Sequence, residues 1–195
     1  MKNIPAIFLL LFLSSVSHAQ FLKFGLKGGA NLVKMDGKSF NDGYNLGYYG
    51  GGFVELKLGE KFYLQPEVLF GETNLEYSES FKDIYGNLLE VDNLSSIKLQ
   101  RLSIPLTLNY KLANIFSLSA GAQVSIITDQ DETIMRNAGK AFTEGDVGLI
   151  AGGNLMLGKF RINARYIWGL NDMNNIDKQD PWKSQTAQLG VGFVF

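Results

Sequence analysis

Cysteine is missing from this chain, and histidine occurs once, at His18. Without thiols there is no disulfide scaffold, no thiolate nucleophile and no cysteine-based zinc site. Excess charge of either sign is also missing. A formal net charge of -1 leaves no basic surface to hold nucleic acid. Proline is scarce, at 4 residues, and the 22 glycines follow no G-X-Y period. That excludes a collagen-like chain and suits many strands with small residues at close-packed positions. The one long apolar run, Ile7 to Leu13, falls well short of the ~20 residues a spanning helix needs. What remains is far from a disordered composition, with 46% apolar and 12% aromatic residues against 19% charged.

The short apolar run has a use of its own. Lys2 before it and Ser17-His18-Ala19 after it make a basic n-region, an h-region and a small-x-small cleavage site. Residues 1–19 are expected to be a signal peptide and 20–195 a single exported domain. Cleavage after Ala19 would remove His18, so the mature chain would hold neither Cys nor His.

Beyond Gln20 the apolar period is two, and no stretch carries a helical i, i+3, i+4, i+7 stripe. Eight segments alternate. Leu22, Phe24, Leu26, Ala30 and Leu32 oppose Lys23, Gly25, Lys27, Gly29 and Asn31. Leu102, Ile104, Leu106 and Leu108 oppose Arg101, Ser103 and Thr107, and Phe160, Ile162, Ala164, Tyr166 and Trp168 oppose Arg161, Asn163 and Arg165. Tight connections at 58–61, 111–114 and 157–160 take turns with long polar ones at 33–43, 71–95, 128–145 and 171–184. Such alternation matches a transmembrane barrel with short periplasmic turns and long outer loops.

Alternation alone does not say which face points inward. A lipocalin-like barrel would hide the apolar face and an outer-membrane barrel would show it to lipid. Side-chain size favours the second. The apolar face is built of Leu, Phe, Tyr and Trp, too bulky for a lumen that eight strands barely leave room to fill. The other face mixes Gly, Ser and Asn with a few long cations. Aromatic residues gather near strand ends, as in the girdles of membrane barrels. The predicted fold is therefore an all-β, eight-stranded, antiparallel up-and-down transmembrane barrel, closed because lipid forbids open sheet edges.

The stretches LQPEVLF (64–70), LSIPLTLNYKL (102–112), SLSAGAQVSII (117–127) and ARYIWGLNDM (164–173), with the aromatic ending, resemble the outer-membrane β-barrel domain family widespread in Bacteroidota. That group is often labelled PorT-like and is similar to the eight-stranded OmpA/OmpX-like barrels. The resemblance spans nearly the whole mature chain. It implies an outer-membrane barrel, and for one namesake lineage a part in type IX secretion. Leu189, Val191, Phe193 and Phe195 also resemble the C-terminal signal read by the barrel-assembly machinery.

The inward face collects Lys23, Lys27, Glu55, Glu67, Arg101, Arg161 and Arg165, with Lys57 near a turn. Unpaired charges in so narrow a space are costly, so an interior ion-pair network is predicted. It could brace the barrel, or serve a gated ion path or a small-anion site. No catalytic, metal or cofactor-binding residues are assigned: general-base chemistry at neutral pH favours imidazole, and 20–195 has none. Asp129, Asp131, Glu132, Glu144 and Asp146 form an acidic cluster without the full calcium-loop pattern, read as a solvated loop. Tyr77, Phe81, Ile84 and Tyr85 alternate in the longest connection, where residues 78–94 could offer a strand edge to a protein partner.

The resulting expectation is a non-enzymatic, monomeric outer-membrane barrel with both termini in the periplasm, acting as a structural or interaction protein through its extracellular loops. Its expected partners are outer-membrane lipid and, during biogenesis, the assembly machinery. The alternatives are an accessory of a secretion or uptake assembly and a narrow, porin-like ion pore.

Overall fold

The computed structural model describes residues 21–36, 43–76, 96–130, 145–172 and 183–195. The expected signal peptide 1–19, the connection 78–94 with Tyr77, Phe81, Ile84 and Tyr85, and the acids Asp131, Glu132 and Glu144 lie outside the described residues.

Eight strands follow one another: β1 (Leu22–Asp36), β2 (Asn45–Lys57), β3 (Phe62–Glu76), β4 (Ser96–Ala113), β5 (Phe116–Gln130), β6 (Gly145–Leu157), β7 (Phe160–Gly169) and β8 (Lys183–Val194). Each pairs antiparallel with its sequence neighbours, and the ring closes where β8 returns to β1, from Gly25 opposite Val194 to Asp36 opposite Lys183. Closure satisfies the backbone groups an open sheet would leave bare, which is what a bilayer demands.

The pleat sorts side chains by face. Outward Leu106 is 49% exposed, whereas inward Asn109 is wholly buried. Outward apolar residues run from Leu102 to Leu112 on β4 and from Phe160 to Trp168 on β7. Each run matches the ~9–11 residues a tilted strand needs to cross a bilayer. So large an exposed apolar belt is a liability in water and the stable arrangement in lipid. Outward rings meet along its rim at the short-turn end, with Phe62 against Tyr110 (5.0 Å between centroids) and Phe160 against Phe193 (5.4 Å).

Strand ends depart from expectation at both rims. The connection predicted at 111–114 is shorter, because β4 holds its partner through Ala113 past a register shift, leaving only Asn114 and Ile115 to turn. At the opposite end β3 and β5 continue to Glu76 and Gln130, into segments whose polarity reads as loop. Backbone pairing persists there because a partner strand is present, while outward Glu72 and Gln100 no longer face hydrocarbon. At the β6–β7 turn Gly158 takes φ +62°, a left-handed conformation that side chains disfavour.

The lumen is less polar than predicted. Besides amides, hydroxyls and charges it takes in Val33, Leu69, Leu99, Ile127, Ile150 and Ile167, all buried. So narrow a barrel must fill its interior with side chains, and aliphatic groups do so without needing hydrogen-bond partners.

Candidate functional site in the barrel lumen

Midway along the lumen, Lys27 of β1, Glu67 of β3 and Arg165 of β7 converge. Lys27 Nζ donates to Glu67 Oε1 at 2.8 Å, and Arg165 Nη1 donates to both Glu67 oxygens at 3.1 and 3.0 Å. Gln65 Nε2 donates to Oε1 at 2.8 Å, and Arg165 Nε donates to Gln188 on β8. One carboxylate thus serves two cations in a place almost sealed from solvent, where charged hydrogen bonds are strongest and an unpaired charge is most costly. Glu67 is 2% exposed.

Nearer the short turns, Arg161 grips Glu55 by two bonds, Nε to Oε1 at 2.7 Å and Nη2 to Oε2 at 3.2 Å. Arg161 Nη1 donates to the carbonyls of Gly158 and Phe160, so the guanidinium is anchored in the β6–β7 turn. Lys23 is the register neighbour of Glu55 but stays exposed and outside this pair, because both Glu55 oxygens are turned to Arg161 across the lumen. Arg101 enters the half of the lumen nearer the long connections, beside a register shift of β4, and lies within electrostatic range of Asp146. The two form no ion pair at 4 Å or less among the described residues. Asp146, expected in a solvated acidic loop, is instead the second residue of β6. It is buried and accepts a bond from Ser184 Oγ at 3.0 Å. Asp129 likewise belongs to β5.

Neutral groups complete the filling. Tyr49 leans from β2 across β8 at Gly190 and donates to Asn163 Oδ1 at 3.1 Å. A Cβ at Gly190 would sit 2.1 Å from that phenol oxygen, so any larger residue there must displace the Tyr49 ring. Phe53 lies in the same way over Gly25 and Gly192. Tyr63 and Ser117 share a bond of 2.8 Å, and Asn154 Nδ2 donates to Asn109 Oδ1 at 2.9 Å. A cavity bordered by Asn31, Tyr49, Leu69 and Arg101, in the half nearer the long connections, measures about 40 Å³, room for roughly three waters.

Leu189, Val191, Phe193 and Phe195 stand outward in one row, on β8 and at the residue after it. The Phe195 backbone N–H still donates to the Phe24 carbonyl at 3.0 Å, holding that row to β1.

The family model described as "Outer membrane protein beta-barrel domain" matches residues 15–175. The chain belongs to that family. No curated protein matches this outer-membrane barrel in sequence. Among solved structures it is similar to Neisserial surface protein A, at 13% identity and TM-score 0.55, covering 88% of this chain and 97% of that one. It is also similar to OprG from Pseudomonas aeruginosa, at 12% identity and TM-score 0.50, with coverages of 89% and 95%. Against Ail of Yersinia pestis the identity is 14% and the TM-score 0.48, with coverages of 89% and 98%. At such identities the likeness is one of fold, and a barrel fold decides neither catalysis nor its absence.

Proposed function

We propose that this outer-membrane barrel is a non-catalytic, monomeric structural and interaction protein, working through its long connections while the lumen braces the wall. The observation that carries this reading is the sealed ion-pair hub at Glu67, which joins β1, β3 and β7. All three of its donors engage the carboxylate, so the hub reads as a brace and not as a proton acceptor. Catalysis by a histidine base has no residue to use within 20–195. Both termini are placed in the periplasm, with the long connections outside, as short and long turns are distributed in membrane barrels. The row Leu189, Val191, Phe193 and Phe195 is assigned to recognition by the barrel-assembly machinery.

The test is crosslinking in native membranes, followed by identification of what is captured, for the whole chain and for a variant lacking 78–94. The variant should remain heat-modifiable on gels and lose its partner; unchanged capture sinks the loop reading. Recording in planar bilayers separates it from a narrow ion pore, which would show steady conductance. The finer PorT-like assignment rests on the motifs quoted above, and with it the second reading, an accessory of a secretion or uptake assembly.

A further inference from the structure

At the short-turn end the lumen opens into a bowl of about 340 Å³, bordered among others by Phe21, Lys23, Lys57, Tyr63, Lys111 and Arg161. That volume lies within the range of small-molecule sites, ~300–1,000 Å³. The charges around it do not balance. Arg161 and Glu55 neutralise each other through two hydrogen bonds, and the rest of the guanidinium is turned to the Gly158 and Phe160 carbonyls. Lys23, Lys57 and Lys111 are left over, from three different strands. Lys111 Nζ rests 5.8 Å from the centroid of the Tyr63 ring, and Lys23 and Lys57 pair with nothing among the described residues.

Three ammonium groups around one concavity repel each other unless something negative sits among them, and the low-dielectric walls focus their field into the bowl. A lysine ammonium is a point charge that donates to oxygens lying in many directions, whereas a planar carboxylate is best matched by an arginine fork. Here the one fork is occupied. We propose that this mouth binds a phosphate-bearing anion, with its oxygens on Lys23, Lys57 and Lys111 and its remainder against Tyr63 and Phe21. The phosphate could be that of a soluble ester or of an anionic lipid headgroup reaching over the rim. This site lies at the end opposite the long connections and does not depend on the function proposed for them.

The test uses the full chain purified from membranes in a maltoside detergent, titrated calorimetrically with pyrophosphate at low ionic strength. Saturable binding that weakens with added salt is expected. The variant K23Q/K57Q/K111Q should lose at least about tenfold in affinity, a change far outside calorimetric error. K61Q, altered at an exposed turn lysine that does not border the bowl, should bind as the parent does. Heat-modifiability confirms that each variant is a folded barrel. Nanodiscs with and without phosphatidylglycerol then assign the source. Competition by that lipid, absent in the triple variant, identifies a headgroup, and equal affinity in both discs identifies a soluble phosphate. No saturable binding in detergent, binding indifferent to the triple substitution, or preference for a tricarboxylate over pyrophosphate would each overturn the proposal.

Discussion

Glu67→Gln tests the energetics of the lumen most directly. The substitution keeps the shape of the side chain but removes the one negative charge between Lys27 and Arg165. Their contacts at 2.8 and 3.0 Å are each worth about 6 kcal/mol of gross Coulomb attraction at an effective dielectric of 20. Most of that offsets the cost of taking three charges out of water, and breaking such a pair from one side costs about 3–5 kcal/mol net. A loss of about 4 kcal/mol is therefore expected, because two cations are stranded and the amide still offers one acceptor to them. The assay is urea unfolding of the barrel refolded in detergent, followed by tryptophan fluorescence and by heat-modifiability on gels. Adding Lys27→Met removes one stranded cation and should restore about 1 kcal/mol or more relative to Glu67→Gln alone, since contacting sites do not add. If Glu67→Gln unfolds within about 1 kcal/mol of the parent, or Lys27→Met brings no relief, the hub does not brace the barrel.

Three further variants probe the wall and its assembly. Leu106→Arg and Val124→Arg, on the outward apolar face, should each cost roughly 2–4 kcal/mol in lipid vesicles. Tolerance of both would mean that this face does not meet hydrocarbon. Gly190→Ala sets a methyl 2.1 Å from Tyr49 Oη and should cost about 1–3 kcal/mol in the same urea assay. Tyr49→Phe added to it should recover part of that loss, and an additive penalty would show that the clash is not the cause. Phe195→Ala should lower the amount of barrel recovered in the outer-membrane fraction while refolding in vitro is unchanged; equal recovery removes Phe195 from the assembly signal.

Much of the wall was legible in advance because a strand has only two faces. Parity placed Lys27, Glu67, Arg161 and Arg165 inside, and Leu106 and Val124 outside, with no three-dimensional information. The partners were not legible. Lys27 meets Glu67 across 40 positions, Arg165 meets Glu67 across 98, and Arg161 meets Glu55 across 106. No spacing rule links them, since they meet through the lumen and not along a strand. Parity put Lys23 and Glu55 on one face, and the register then set them side by side, yet that adjacency lost to a bidentate grip from the opposite wall. Asp146 was misplaced for the converse reason: polarity suggested a loop, but β6 begins one residue earlier and carries it inward. The bulk of Tyr49 and Phe53 against the smallness of Gly190, Gly192 and Gly25 was a signal present in the residues, readable only once β2 was known to lean across β1 onto β8.

The amino-acid sequence by itself determined the period, the even strand count, the alternation of short and long connections and the sign of each face. These are local properties, set by side-chain chemistry and a two-residue repeat. Only the closed barrel decided who pairs with whom, how far strands outrun the apolar belt, and which cations at the short-turn mouth have no anionic partner among the described residues. Shear and curvature set those distances, and they exist only once β8 has met β1.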